Sequence, residues 1–121
     1  MITLKELNPH NYPTTPEIDE NLGILLERIN KIRASWGKPM TVTSGLRSQA
    51  DQQRINPKAP LSKHLIGCAC DILDEGLELT QWLKDNPLEL EHAMLWCEEG
   101  NKNWVHFQTL PPKSGRRWFL P

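Results

Sequence analysis

Between Pro16 and Trp36, the residues Ile18, Leu22, Leu25, Ile29, Ile32 and Trp36 recur at steps of four and three. That spacing matches the turn of an α-helix and places all six on one face, which has to be buried. Thr14 and Glu17 have capping-box spacing, Thr15 is a rival cap, and Pro16 suits a first helical position. Gly37 and then Pro39 supply the stop. This segment predicts a core-building helix with a solvated outer face and no chemistry of its own. In a chain of 121 residues it serves one core, because the length does not provide for two.

The rest of the chain reads as short elements. Met40 to Ser44 is β-branched and short, a strand. Leu46 to Ile55 is polar with room for a short helix, and Asn56 to Pro60, with two prolines, is a loop. Gly67 to Leu73 alternates small and apolar residues and runs into Asp74, Glu75 and Gly76, a strand entering a turn. Leu79 to Lys84 reads as a short helix closed by Asn86 and Pro87. Ala93 to Cys97 and Trp104 to Thr109 read as two strands around a polar connection, Glu98 to Asn103. A proline-containing tail ends in the apolar group Trp118 to Leu120. The sum is one α+β domain spanning residues 1–121, without repeats or linkers.

Composition narrows the function classes. Hydrophobic residues make up 38% and charged residues 24%, an ordinary globular balance. The formal net charge of −1 provides no long-range field to gather nucleic acid or an anionic membrane. Arg116 and Arg117 form a local basic pair, either a contact for anionic polymer or a solubilising tail. Cys68, Cys70 and Cys97 leave one thiol over in any pairing, which points to reduced, mostly buried side chains. No apolar run is long enough to span a membrane, and Met1 to Asn8 lacks the basic start and apolar stretch of a secretory signal. The expectation is a protein made in the cytoplasm, with any target outside it reached by a separate delivery route. A monomer is the simplest assembly.

The chemistry concentrates in Leu61-Ser62-Lys63-His64-Leu65-Ile66-Gly67-Cys68-Ala69-Cys70-Asp71 and in Trp104-Val105-His106-Phe107. Two imidazoles and one carboxylate make a suitable shell for catalytic zinc, with a fourth position left for water. Asp71 and His106 fall on separate predicted strands, which lets a sheet fix both directions. Gly67 permits the loop bearing His64 to turn back without a Cβ clash. Cys68 and Cys70 offer a competing thiolate site. On a strand, however, both point away from the face carrying Asp71, so they read as core residues.

The pattern Ser-x-His-x-x-Gly-x-Ala-x-Asp, filled by Ser62, His64, Gly67, Ala69 and Asp71 and followed by Trp104-x-His106, resembles the M15 family of zinc peptidases. Thr43-Ser44-Gly45-Leu46-Arg47-Ser48 is similar to that family's Ser-Gly-x-Arg-Ser turn. The resemblance runs from about Met40 to Phe107. The opening helix and Ser114-Gly115-Arg116-Arg117 also look like small phage-associated members. The family includes D-Ala-D-Ala carboxypeptidases and phage L-Ala-D-Glu endopeptidases and is distantly similar to the hedgehog signalling domain.

The resemblance implies a hedgehog/DD-peptidase-like fold, an antiparallel sheet with flanking helices, and Zn2+ held by His64, Asp71 and His106. It implies a peptidase acting on peptidoglycan stem peptides in phage lysis, virion entry or wall remodelling. Arg47 would hold substrate oxygens through its forked donors. Ser62 would either bond substrate or a ligand, or cap its loop. Trp104 would either wall the cleft or pack in the core. Family members commonly carry Asp or Glu three residues before the last His, where this chain has Asn103, and an amide cannot shuttle a proton. Glu98 or Glu99, in the preceding connection, would take that role, Glu98 ahead of Glu99. A catalytically silent zinc module that binds wall fragments or a protein partner is the alternative.

Overall fold

The structure, a computed structural model, describes residues 1–58 and 62–121. The last residues of the expected Asn56 to Pro60 loop, and Leu61 of the motif segment, lie outside the described residues. The chain begins with a short helix, α1 (Leu4–Leu7), in which Thr3 and Glu6 form a reciprocal capping box. The long helix follows as α2 (Pro16–Trp36), with the bounds its periodicity implies. Thr15 rather than Thr14 caps it, accepting from the Ile18 N–H, and Gly37 closes it at φ 75°. Leu22, Leu25, Ile29 and Ile32 are its buried stripe. Fully burying each such side chain contributes about 1.5–3 kcal/mol, so this face anchors the domain.

Beyond it come β1 (Val42–Ser44), α3 (Gln49–Ile55), a 3-10 turn (Lys63–Ile66), β2 (Ala69–Leu73), and a second 3-10 turn (Glu75–Leu77). Next are α4 (Glu78–Asp85), α5 (Leu88–Ala93), β3 (Trp96–Glu98), β4 (Trp104–Gln108) and β5 (Trp118–Phe119). The strands form one sheet in the order β1-β2-β4-β3-β5. The first four pair antiparallel, as expected, and β5 adds a parallel edge against β3, making the sheet mixed.

Each strand sorts its residues by alternation. Cys70 and Ile72 of β2, Cys97 of β3, and Val105 and Phe107 of β4 join the core with α2, α4 and α5. Asp71 and His106, paired across β2 and β4, turn to the opposite face. Burial pushes the Cys70 and Cys97 thiols up, as befits packing residues rather than thiolate ligands. Trp36 and Trp82 pack on the core with their rings 5.2 Å apart.

Three elements differ from the sequence expectation. Pro87 does more than close α4: its fixed φ also starts α5, so Ala93 is helical and β3 begins only at Trp96. The tail is solvated only in part: Lys113 to Arg116 are exposed, but the Arg117 guanidinium donates to the carbonyls of Leu90 and Leu95 and lies 4.4 Å from the Trp96 ring. Glu98 is the last residue of β3 rather than the start of a loop. Among the described residues, no helix is long and apolar enough to cross a membrane.

Candidate metal centre and cleft

His64 reaches the sheet from a 3-10 turn that is fixed at both ends. The Ser62 hydroxyl accepts from the His64 main-chain N–H at 3.2 Å, so Ser62 caps its loop. Gly67 closes the turn at φ 77°, where its N–H donates to the Lys63 carbonyl. A Cβ there would press on the Leu22 side chain at 3.0 Å, so glycine meets both the backbone and the space requirement.

The Ser44-to-Ser48 turn supports the same histidine. The Gly45 carbonyl meets His64 Nδ1 at 2.9 Å, and the Arg47 main-chain N–H donates to the His64 carbonyl at 3.2 Å. A Cβ on Gly45 would collide with the Leu7 main-chain carbonyl, which already accepts from the Leu46 N–H. Ser44 accepts from Arg47 Nε, and Ser48 caps α3.

Asp71 is the hub. Its Oδ1 lies 3.0 Å from His106 Nδ1 and 3.3 Å from His64 Nε2, and its Oδ2 accepts from Arg47 Nη2 at 3.3 Å. Arg47 also donates through Nη1 to Gln52 Oε1 at 2.9 Å. The two imidazole rings stand edge to face, 5.2 Å between centroids. All three side chains are buried, and one donor atom from each lies within 4.8 Å of the others.

The electrostatics follow from this arrangement. Burial alone would push the Asp71 carboxyl up; hydrogen bonds to His106 and His64, and their charge, outweigh it and hold the group well below the usual carboxylate range. Burial likewise pulls the His106 imidazolium down, but Asp71 offsets that and leaves it raised, with Gln108 and Glu98 acting in the same direction. The Arg47 guanidinium is lowered by burial, with Asp71 opposing.

The donor set fits a zinc ion. His64 Nδ1–H spends its proton on the Gly45 carbonyl, which leaves Nε2, beside Asp71, as the nitrogen that can turn a lone pair to an ion. Two nitrogens and one carboxylate oxygen converge, the borderline donor mixture that zinc takes at catalytic sites. The Gly45 main-chain carbonyl and the Gln108 side-chain carbonyl, which meet the other ring nitrogens, supply the outer support that orients metal-binding imidazoles.

The triad forms part of the wall of a cleft of about 850 Å3. Arg47, Glu98, Trp104, Phe119 and Leu120 also line it, with Lys58 and Lys63. Trp104 is therefore a wall, 39% exposed, on the same side of β4 as His106. Phe119 meets His106 edge-on at 6.2 Å. Alternation separates the two glutamates: Glu98 lines the cleft, whereas the Glu99 carboxylate takes the Lys84 ammonium at 3.0 Å. Asn103 is exposed just before β4 at φ 132°, and its carbonyl accepts from the Asp74 N–H. His10 and His92 are exposed and apart from the site.

Sequence reasoning missed Gln52, the Gly45 carbonyl as acceptor for His64, and Gln108. Gln108 had a readable signal, since it lies two residues beyond His106 on one strand and so shares its face.

No curated protein and no solved structure matches the chain. The family model described as Peptidase M15 matches residues 2–108, so the chain belongs to that family.

Proposed function

We propose that this M15 peptidase is a zinc-dependent hydrolase of an amide bond in peptidoglycan stem peptides, as a carboxypeptidase or an endopeptidase, serving phage lysis, virion entry or wall remodelling. The observation that carries the reading is the convergence of His64, Asp71 and His106 within 4.8 Å, on the wall of a cleft that also holds a carboxylate, Glu98. Those three residues would hold the ion. Bound there, zinc would supply a Lewis acid able to polarise the scissile carbonyl and acidify water.

The chain's own side chains divide the remaining work. Glu98 takes a proton from the attacking water on a carboxylate oxygen and returns it to the leaving nitrogen as the C–N bond breaks. Glu99 was the rival for this role; its engagement with Lys84, away from the cleft, supports Glu98. Arg47 aligns Asp71 and spends three of its donors on Ser44, Gln52 and Asp71. A guanidinium carries five N–H groups, so two are left without a partner among the described residues and can serve a substrate oxygen. Ser62 acts by holding the His64 turn. Trp104 supplies a rigid apolar wall, and Lys58 and Lys63 suit the carboxylates of a stem peptide.

One observation favours a second reading, a zinc-bearing module that binds wall fragments without cutting them. Asn103 stands where relatives commonly carry an acid, and its amide cannot exchange a proton.

The deciding experiment incubates purified protein and peptidoglycan with zinc or a chelator and counts new amino termini. Chelator-sensitive release that drops about 10²–10⁴-fold in Glu98→Gln but not in Glu99→Gln, with zinc content unchanged, supports the peptidase. Absence of release under every metal supply favours the silent module.

A further inference from the structure

His64 and His106 are oriented by different means. The proton of His64 is held on Nδ1 by a main-chain carbonyl, that of Gly45, which no substitution removes. His106 faces Asp71 through Nδ1 at 3.0 Å, and its other nitrogen, Nε2, meets Gln108 Oε1 at 2.9 Å. The Gln108 amide is itself oriented, because its Nε2 donates to the Leu110 carbonyl at 2.7 Å. A main-chain carbonyl only accepts, so the NH₂ end of the amide belongs there and the carbonyl end faces His106. Facing an acceptor, His106 Nε2 carries a proton. Nδ1, which faces the Asp71 carboxylate in the metal-free site, is then the nitrogen left to present a lone pair to an ion, and it is the atom grouped with His64 Nε2 and Asp71 Oδ1.

We propose that Gln108 is a positioning residue: its side-chain carbonyl keeps the His106 proton on Nε2 and so reserves Nδ1 for the metal ion. The inference rests on the reading of His64, Asp71 and His106 as zinc ligands. Gln108 is suited to the task, being 5% exposed and fixed on the strand that carries His106, with Leu110 two residues beyond. In the opposite tautomer, an N–H would occupy the direction a ligand lone pair needs. The pair of hydrogen bonds running from His106 through Gln108 to Leu110 opposes that tautomer, which the Asp71 carboxylate favours until an ion takes the place of the Nδ1 proton, and both ends of the buried amide are satisfied.

The test uses the full chain as wild type, Gln108→Met and Gln108→Glu. Methionine keeps the length of the side chain without a comparable acceptor, and glutamate restores the acceptor. Two-bond proton–nitrogen spectra of the zinc-loaded wild type should show His106 with its proton on Nε2, and those of the metal-free protein should show Nε2 protonated whatever the state of Nδ1. Zinc affinity, measured by competition with a chromophoric chelator, should fall about 10–100-fold in Gln108→Met and return in Gln108→Glu. Thermal melts establish that the variants are folded. A wild-type spectrum with Nε2 unprotonated overturns the proposal whatever the variants do. Equal zinc affinity in wild type and Gln108→Met overturns it while leaving the metal site standing. A wild type that binds no zinc overturns the metal reading itself and the proposal with it.

Discussion

Replacing Asp71 by asparagine changes charge while keeping shape, which isolates what the carboxylate does. In the metal-free protein, Asp71 and Arg47 form an ion pair whose side chains are only 11% and 13% exposed. Removing one member of a buried pair costs roughly 3–5 kcal/mol. The lower end applies here, because the asparagine oxygen still accepts from Arg47 and because Ser44 and Gln52 hold the guanidinium independently. At about 2.1 cal/mol/K of unfolding entropy per residue, a 121-residue chain loses close to 4 °C of Tm per kcal/mol, so the expected drop is about 12 °C.

The pH dependence of that gap has a definite sign. Asp71 is depressed from 3.8, so its contribution is present above that value and fades as pH falls toward the folded pKa. His106 is raised from 6.5, so its share is present below that value and is lost as pH rises through the folded pKa. Wild type and Asp71→Asn should therefore differ most between pH 3.8 and 6.5. Calorimetric melts of both proteins across pH, with and without zinc, measure all of this. Free zinc at a hundred times its Kd adds about 2.7 kcal/mol to a protein that binds it. The wild type should gain about 11 °C from that addition and the variant little. An equal zinc-induced rise in the variant would falsify the assignment of Asp71 as a ligand, and an unchanged metal-free Tm would remove the ion pair from the account of stability.

Other perturbations probe the supports. Gly45→Ala places a methyl group against the Leu7 carbonyl, where only backbone can yield; overpacking of this kind costs about 1–3 kcal/mol, so Tm should fall by roughly 4–12 °C, with zinc affinity lowered because the Gly45 carbonyl carries His64. A variant as stable and as zinc-competent as wild type would refute this account of the turn. Cys70 and Cys97, buried with their thiols pushed up, should react with an aromatic disulfide reagent only as fast as the protein unfolds. Rapid labelling of either in the native protein would show that the core is more open than its packing implies.

Legibility in the sequence followed the range of the interaction involved. The α2 helix was readable to its bounds because its signal is local and repeats over several turns, and its four buried residues are the middle four of the six the period selects, with Ile18 and Trp36 partly buried at the ends. The three convergent side chains were readable through motif residues whose roles are also local: Gly67 needs a positive φ, and Ser62 caps its own turn. The sheet edge was not. Strand β5 has two residues and gains its partners from β3, some twenty positions earlier, so no window of sequence contains its reason to be extended. Pro87 carried two compatible messages, ending one helix and beginning another, and only the burial of Leu90 and Ala93 decides between them.

The choice between Glu98 and Glu99 shows why the last step to chemistry depended on that edge. Read as a loop, the two are neighbours that sequence separates only slightly, Glu98 ahead of Glu99. As the end of a strand they must diverge, since consecutive side chains leave a sheet on opposite faces. What makes the segment a strand is pairing from both sides: Cys97 sits opposite Phe107 of β4, while the N–H groups of Cys97 and Glu99 donate to the Arg117 and Phe119 carbonyls of the tail. Arg117 in turn is tied to Leu90, Leu95 and Trp96. A tail that composition presents as a solubilising appendage thus helps set which glutamate lines the cleft, through backbone hydrogen bonds that no property of Glu98 or Glu99 announces.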